Sequence, residues 1–214
     1  VVADMVPVLS PNRIVLAHAT VAPDEMRAAA DAVAATGAAF LDCPFTGSKD
    51  AAAAGKLNYY VGGDEAVLER VRPVLEASSN SITHLGDIGA ATVFKIATNM
   101  ISATTVVILA EALAVAQRGG VELDKMEQAL AVNACSSGLV NMKLPSMLAG
   151  DYDPHFSLKN MFKDAQFGLG IASGAGIDLP VLSSAAAAML EQMRQGHDEA
   201  DYSIVYERYR DLGS

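Results

Sequence analysis

Short apolar runs and amphipathic stretches alternate through the first 88 residues of the chain. Short runs rich in β-branched and aromatic residues are typical of strands, and stretches with a helical period are typical of helices. The predicted strands lie at 13–20, 38–47, 56–63 and 82–86, and the predicted helices at 22–37 and 64–79. Strands that alternate with helices over such short distances favour a sheet with helical crossovers.

The strand pattern ends at Gly89, where a helical pattern takes over. Residues 90–118 form one long helical pattern that stops at Gly119-Gly120, and apolar residues occur on nearly every face of it. A helix of this kind has to be covered all round, by its own domain or by another subunit. Further helices are predicted over 122–214, with breaks at 136–138, 148–156 and 176–180.

These patterns predict a fold class in which an α/β part is followed by an all-α part. We expect the α/β part to cover residues 1–88 and the all-α part to cover residues 119–214, with a long helix over 89–118 joining them. A chain of 214 residues, of which 51% are hydrophobic, is long enough to build a substantial core.

The charge of the chain restricts its partners. It has 25 acidic and 15 basic residues, which gives a net charge of −10. A nucleic acid or an anionic membrane surface needs a positive face, so neither is expected as a partner, whereas a small anion could bind in a local basic pocket. The apolar run 100–116 is interrupted by polar residues, Glu111 among them, and is expected to fall short of a membrane span and form a buried helix.

The cysteines and histidines indicate neither a disulfide framework nor a metal site. Cys43 and Cys135 are far apart and form no Cys-x-x-Cys pair, which fits a reducing cytoplasm. The histidines are His18, His84, His155 and His197. Their spacing is not that of metal ligands, and we expect packing or surface roles for them.

A lysine and an asparagine stand one helical turn apart in the long helix. Lys95 and Asn99 are four residues apart, so their side chains project from the same face, among apolar neighbours such as Phe94 and Ile96. An isolated pair of this kind most often reaches to solvent from a helix end. The apolar surroundings favour a second interpretation, because partial desolvation lowers the pKa of a lysine and suits it to proton transfer.

The stretch DCPFTGSKDAAAAGKL (42–57) follows the end of a predicted strand, which is where open α/β sheets bind ligands. Thr46, Gly47 and Ser48 offer hydroxyl groups and backbone N–H groups in a small space, which suits a carboxylate. An ordinary polar turn explains these three residues equally well.

A third polar group lies in the all-α part, in HFSLKNMFKDAQFG (155–168). Lys159 and Lys163 are four residues apart, with Phe156 and Asp164 nearby. Taken alone, this pattern is typical of a solvated basic helix face with an ion pair.

Together and in this order, four stretches resemble the β-hydroxyacid dehydrogenase family, the relatives of 6-phosphogluconate and 3-hydroxyisobutyrate dehydrogenases. HATVAPDEMR (18–27) is similar to the family's Ser/Thr-x-x-Pro segment, and residues 42–63 are similar to its Asp-x-Pro-x-Ser-Gly-Gly signature. GAATVFKIATNM (89–100) matches Gly-x5-Lys-x3-Asn, and residues 156–181 resemble the Phe-x-Leu…Lys-Asp helix. The resemblance covers almost the whole chain.

The resemblance implies a role for each candidate residue. It makes Lys95 the general acid/base and implies that Asn99 orients the substrate, a small molecule with a carboxylate. The implied carboxylate-binding residues are Thr46, Gly47 and Ser48, and the implied binding residues for an NAD or NADP cofactor are Thr20, Phe156, Lys163 and Asp164. No metal is implied.

The resemblance also implies a fold and an activity. It implies a Rossmann-like domain followed by a helical domain, assembled into a homodimer or homotetramer. Gly47-Ser48-Lys49 is similar to the glyoxylate and succinic semialdehyde reductase branch, which reduces a short aldehyde acid to the hydroxy acid. Two alternatives remain, an oxidising 3-hydroxyisobutyrate-type dehydrogenase and a non-catalytic dimerisation or scaffold relative.

The start of the chain differs from the family pattern. The chain opens on Val1 without an initiator methionine, and its sequence contains no Gly-x-Gly-x-x-Gly loop of the kind that binds dinucleotides. We therefore expect the N-terminal half of the Rossmann-like domain to be missing. We also expect this fragment alone to be inactive.

Overall fold

The computed structural model describes residues 1–210, and in it the chain divides into two compact units. The N-terminal unit is Val1–Thr98 and the C-terminal unit begins at Asn99. The boundary falls within one continuous helix, Ala90–Arg118, which starts in the first unit and ends in the second.

The N-terminal unit is built from short strands and helices in alternation. In chain order they are α1 (Val2–Met5), a 3-10 turn (Val6–Val8), β1 (Ile14–Ala17), α2 (Pro23–Ala34), β2 (Ala39–Asp42), β3 (Phe45–Thr46), α3 (Lys49–Ala53), β4 (Leu57–Gly62), α4 (Glu65–Glu76), β5 (Ser79–Gly86) and the start of α5 (Ala90–Arg118). The two helices that connect strands, α2 and α4, begin with favourable residues, because Pro23 occupies the first turn of α2 and the Asp64 carboxylate accepts two N–H bonds at the start of α4.

The strands form one mixed sheet with β4 at its centre. β1 and β2 are parallel, with Ile14 opposite Ala39, as the predicted helical crossover requires. β2 and β3 both run antiparallel to β4, and β5 pairs with the other edge of β4 in parallel. Apolar side chains of β2, β4 and α4 form a buried core, among them Leu41, Val61 and Leu68.

The C-terminal unit is helical. It contains the rest of α5, α6 (Leu123–Ala131), α7 (Gly138–Ala149), α8 (Leu158–Gly174), α9 (Pro180–Arg194), a 3-10 turn (Tyr202–Tyr206) and α10 (Glu207–Arg210). Its core forms around α5, whose Val106 and Leu113 are fully buried together with Met189 of α9. The predicted fold class, an α/β part followed by a helical part with a long helix, is confirmed.

The segment between β2 and β4 differs from the prediction. The predicted strand 38–47 is interrupted, so that its last residues form the separate two-residue strand β3, and the expected loop after it contains the five-residue helix α3. Elements this short are poorly predicted because neither completes enough of a strand or helix period to leave a pattern.

The long helix α5 meets the length and hydropathy of a membrane span in spite of its polar residues. It has 29 residues, and its best 18-residue window has a mean hydropathy of 1.7, which by length and composition alone is enough to cross a membrane. We expected the polar residues within the run to keep it short of a membrane span, whereas the helix passes by these two criteria, which the core helix of a soluble protein also meets. In this structure, 39% of that window is buried within the protein, and buried α5 residues form part of the C-terminal core.

A buried ion pair ties the helical unit together, and nothing in the sequence singled it out. Lys143 of α7 and Asp201 are almost completely buried, and the Lys143 Nζ lies 2.8 and 2.7 Å from the two carboxylate oxygens. The Asp201 carboxylate also accepts hydrogen bonds from the backbone N–H groups of His155, Phe156 and Ser203. Burial raises the pKa of Asp201, but the charge of Lys143 and the hydrogen bonds from Lys143 and Ser203 lower the pKa by more than burial raises it. The pKa therefore lies below its usual value.

The lowered pKa of Asp201 predicts a pH-dependent effect on stability. The pKa of Asp201 is lower in the folded state than its usual value of 3.8. The ionised carboxylate therefore stabilises the fold fully at pH values above 3.8, and this stabilisation is lost as the pH falls through the folded-state pKa. Asp201→Asn should lower the free energy of unfolding at pH 7 by about 3 kcal/mol, because it leaves the Lys143 charge buried without its carboxylate. Urea titrations should show a smaller difference from wild type below that pKa, and a constant difference would contradict the assignment.

Candidate active site

The start of α5, which carries Lys95, is fixed to the sheet by the carboxylate of Asp42. Asp42 is fully buried at the end of β2. Its Oδ2 accepts hydrogen bonds from the N–H groups of Gly89 and Thr92 at 3.0 and 2.9 Å, and its Oδ1 accepts one from the Thr92 hydroxyl at 2.7 Å. Burial raises the pKa of Asp42, while these hydrogen bonds oppose the rise. The helix therefore begins at a defined position beside the end of β2.

Lys95 itself is half-buried in the second turn of α5. The next residue, Ile96, is buried, whereas the Phe94 ring is 41% exposed and packs edge-on against Tyr60 at 4.8 Å between centroids. Lys95 therefore lies on an anchored helix between a buried and a partly exposed apolar residue. Its role in proton transfer stays a prediction.

The predicted carboxylate-binding turn is a structured connection between β3 and α3. Thr46 ends β3, opposite Asn58 of β4, and the Ser48 hydroxyl caps α3 by accepting the Ala51 N–H at 3.3 Å. Gly47 has a φ of +143°, and a Cβ there would lie 2.8 Å from Leu57 Cδ2. Glycine is therefore required at this position for the turn itself, independently of any ligand.

Two further residues, Thr20 and Cys43, lie at the carboxyl ends of β1 and β2. Thr20, half-buried, lies between β1 and α2. Cys43 follows β2, and burial together with the charge of Asp42 raises the pKa of its thiol to about 12, so Cys43 is unsuited to act as a nucleophile. The two strands are parallel, and their ends lie at the same edge of the sheet.

In the C-terminal unit, three predicted site residues lie in one connected cluster. Asn99 donates a hydrogen bond from Nδ2 to Asp164 Oδ2 at 2.6 Å, and the Lys163 Nζ lies 3.2 Å from Asp164 Oδ1. Asn99 is 7% exposed and Asp164 is 1% exposed. The expected contact between Asp164 and Lys163 is present, whereas the bond to Asn99 was not foreseen.

The remaining residues of the predicted basic helix take different places. Lys159 forms an exposed ion pair with Glu199, as expected for a solvated helix face. Phe156 is half-buried, packs edge-on against Tyr202 at 6.5 Å between centroids and donates its backbone N–H to Asp201. Phe156 thus has a packing role next to the buried ion pair, and its role in cofactor binding stays a prediction.

The described residues fit part of a nicotinamide cofactor. Hydroxyl and backbone groups at the ends of β1 and β2, Thr20 among them, lie where α/β sheets bind dinucleotides. The sequence contains no Gly-x-Gly-x-x-Gly to bind the pyrophosphate. These residues therefore suit the nicotinamide end of the cofactor.

Comparisons with known proteins match both parts of the chain to dehydrogenase domains. Residues 89–209 match the sequence profile described as the NAD-binding domain of NADP-dependent 3-hydroxyisobutyrate dehydrogenase. Residues 1–86 match the profile described as the NAD-binding domain of 6-phosphogluconate dehydrogenase. An NAD-binding domain is therefore present, and the expectation that its N-terminal half is missing is wrong. The expectation depended on the Gly-rich loop, whereas the match covers the β1-α2-β2 unit and the rest of the sheet.

Individual relatives carry different names. The chain is 31% identical over 180 residues to the cytokine-like nuclear factor N-PAC of Anopheles gambiae, covering 84% of this chain and 32% of that protein. It is 29% identical over 172 residues to the chloroplastic glyoxylate/succinic semialdehyde reductase 2 of Arabidopsis thaliana, covering 80% and 48%. The chain thus spans about a third of the first relative and about half of the second.

A solved structure shows the same fold across almost the whole chain. The crystal structure of 3-hydroxyisobutyrate dehydrogenase from Salmonella typhimurium superposes with a TM-score of 0.88 at 25% identity. The superposition covers 97% of this chain and 76% of the Salmonella protein.

Proposed function

Because the chain belongs to the β-hydroxyacid dehydrogenase family, we propose that it reduces a short aldehyde or keto acid, of the glyoxylate or succinic semialdehyde type, to the hydroxy acid. The observation that carries this proposal is the link made by Asp42. Its carboxylate fixes the helix that bears Lys95, and the same segment continues within four residues into the Thr46-Gly47-Ser48 turn. One short segment thus positions the proposed proton donor and provides the proposed carboxylate site.

In the proposed reaction, Lys95 donates a proton to the carbonyl oxygen as negative charge develops on it. The hydroxyl groups of Thr46 and Ser48 and the N–H of Gly47 hold the substrate carboxylate. Asn99, one turn after Lys95 on the same helix, orients the substrate. Bound NADH or NADPH supplies the hydride.

The cofactor contacts that we propose come from four residues. Thr20 contacts the nicotinamide end, and Phe156 provides an apolar surface. Lys163 supplies positive charge, and Asp164 holds its ammonium at 3.2 Å. Since Asp164 also accepts the Asn99 amide, one buried carboxylate orients both a cofactor-binding and a substrate-binding side chain.

The relatives favour different reactions, and the proposal has to be weighed against each. The Arabidopsis reductase and the Gly47-Ser48-Lys49 sequence support reduction of glyoxylate or succinic semialdehyde. The Salmonella dehydrogenase supports the alternative, oxidation of a 3-hydroxyisobutyrate-type acid. The N-PAC relative is named as a nuclear factor and not as a dehydrogenase, which leaves the second alternative, a non-catalytic role in assembly, open. The presence of both Lys95 and Asn99 argues against a purely structural role.

A steady-state assay of the full-length protein distinguishes the proposed reductase activity from the dehydrogenase and assembly alternatives. Glyoxylate and succinic semialdehyde are each supplied with NADH and with NADPH, and 3-hydroxyisobutyrate is supplied with NAD and with NADP. Oxidation of the reduced cofactor by an aldehyde acid supports the proposal. Turnover of 3-hydroxyisobutyrate alone supports the dehydrogenase, and no turnover in any combination supports the assembly role.

We also propose that the protein forms a homodimer or homotetramer through α5. Ile101, Ile108 and Val115 are seven residues apart, so they lie along one side of the helix, and they are 66%, 58% and 74% exposed. Val181 of α9 borders the same surface, 69% exposed, across a groove of about 470 Å³ that Ile108 also lines. An aliphatic stripe of this length on a helix is typical of a subunit interface.

A charge in the middle of this stripe should dissociate the oligomer. Ile108→Glu would bury an unpaired carboxylate in the interface, which costs about 3 kcal/mol and weakens association roughly 100-fold. Light scattering coupled to size exclusion should show monomers at micromolar concentration. Val132→Glu is the control, because Val132 is 89% exposed after α6, outside the stripe. An Ile108→Glu protein that keeps the wild-type mass would contradict the proposed interface.

The cytoplasm remains the proposed location. Cys43 and Cys135 are both free thiols, as a reducing compartment allows.

A further inference from the structure

His18 lies just after β1, and its ring is held in one orientation by its neighbours. Its Nδ1 lies 2.6 Å from the carbonyl oxygen of Cys43. The ring packs against Phe45 and Tyr59 with centroid distances of 5.9 and 5.5 Å, and those two rings pack against each other at 5.8 Å. Although it is fixed in this way, His18 remains exposed. An exposed ring with a fixed orientation is preorganised to contact a ligand.

The contact with Cys43 determines what the outer nitrogen of the ring can do. A carbonyl oxygen only accepts hydrogen bonds, so the hydrogen lies on Nδ1. In the neutral imidazole, Nε2 then carries a lone pair and accepts. His18 therefore presents a hydrogen-bond acceptor.

His18 lies close in the chain to, or in contact with, both proposed binding segments of the N-terminal unit, the one with Thr20 and the one with Thr46. Thr20, proposed to contact the cofactor, is two residues further along the chain, and Phe45 directly precedes Thr46 of the carboxylate-binding turn. The Cys43 N–H donates to the Ala17 carbonyl at 2.9 Å, which extends the β1–β2 pairing up to this point. His18 thus lies at the edge of the sheet where both segments begin.

The acceptor differs in chemistry from the other groups proposed to bind the substrate. The Thr46 and Ser48 hydroxyls, the Gly47 N–H and the Lys95 ammonium all donate hydrogen bonds to carboxylate and carbonyl oxygens. A substrate that offered only those oxygens would have nothing to donate to Nε2. A substrate hydroxyl group would complement it.

We propose that His18 is a specificity-determining residue, whose Nε2 accepts a hydrogen bond from a hydroxyl group next to the reacting carbon of the substrate. This inference rests on the proposed function, because it concerns the substrate of the same site. It distinguishes hydroxylated acids from otherwise identical acids that lack the hydroxyl.

The test compares glycerate with 3-hydroxypropanoate, which differ by one hydroxyl on the carbon next to the reacting one. Both are oxidised by the full-length protein with NAD or NADP, as wild type and as His18→Asn. Asparagine keeps an N–H donor for the Cys43 carbonyl but removes Nε2. We expect kcat/KM for glycerate to fall about three- to tenfold and that for 3-hydroxypropanoate to stay unchanged.

His84→Asn is the matched control, because His84 is also exposed and its Nε2 lies 2.7 Å from the Gly63 carbonyl oxygen. It should leave the ratio of the two kcat/KM values unchanged. An unchanged ratio in His18→Asn overturns the inference. A change confined to the KM of the cofactor also overturns the inference, because His18 would then contact the cofactor and not the substrate.

A second readout keeps the inference separate from the proposed function. If the wild type neither oxidises these acids nor reduces any aldehyde acid, the proposed function fails, and equilibrium dialysis with the two labelled acids then decides the role of His18. Tighter binding of glycerate that is lost in His18→Asn supports the inference. Equal binding of both acids by the wild type overturns it.

Discussion

Lys95→Ala should lower kcat for aldehyde reduction by about 10²- to 10⁴-fold, which is the usual contribution of a positioned general acid. Without the ammonium, the developing oxyanion has to take its proton from water. Binding should change less, because Thr46, Gly47 and Ser48 are proposed to hold the carboxylate. Steady-state kinetics of the full-length protein measure kcat and KM separately.

Two variants make this result specific to proton transfer. Lys95→Arg keeps the positive charge but replaces the ammonium with a guanidinium that does not release its proton, so its kcat should also be low. Lys125→Ala removes an exposed lysine of α6 and should leave kcat unchanged. A Lys95→Arg enzyme with wild-type kcat would mean that Lys95 supplies only charge.

Lys143→Met should lower the free energy of unfolding of the helical unit by about 3 to 5 kcal/mol. The substitution leaves the Asp201 carboxylate buried without its ammonium partner, although methionine fills a similar volume. The carboxylate still receives the N–H bonds of His155, Phe156 and Ser203, so the fold is weakened and not abolished. Urea unfolding at pH 7, followed by circular dichroism, measures the change.

Lys159→Met provides the comparison for that change. Lys159 also forms an ion pair, with Glu199, but both side chains are exposed. Exposed pairs contribute less than about 1 kcal/mol, so this variant should unfold close to wild type. Equal losses in the two variants would mean that burial of the Lys143–Asp201 pair is not the cause.

The sequence correctly predicted those helices and strands whose residues form one continuous local pattern. The long helix was placed at 90–118, as observed, because an uninterrupted helical pattern ends at Gly119-Gly120. Strand β4 and helix α4 were also placed within a few residues. Helix α3, and the division of the predicted strand 38–47 into β2 and β3, were not foreseen because these elements are too short to leave a period.

Contacts between distant parts of the chain could not be predicted from such patterns. Asp42 binds Thr92 fifty residues later, and Asn99 binds Asp164 sixty-five residues later, so neither pair shares a local motif. Lys143 was overlooked because a lysine in a helix usually faces solvent. Local patterns singled out most of the candidate residues and the family resemblance gave them their roles, whereas their partners became visible only in the fold.

The central claim, that the Lys95 ammonium supplies the proton for carbonyl reduction, is tested most directly by adding methylammonium to Lys95→Ala of the full-length protein. If the claim holds, kcat rises in proportion to the methylammonium concentration, while the wild-type rate stays constant. A Lys95→Ala enzyme that already turns over at the wild-type rate without added amine would contradict it.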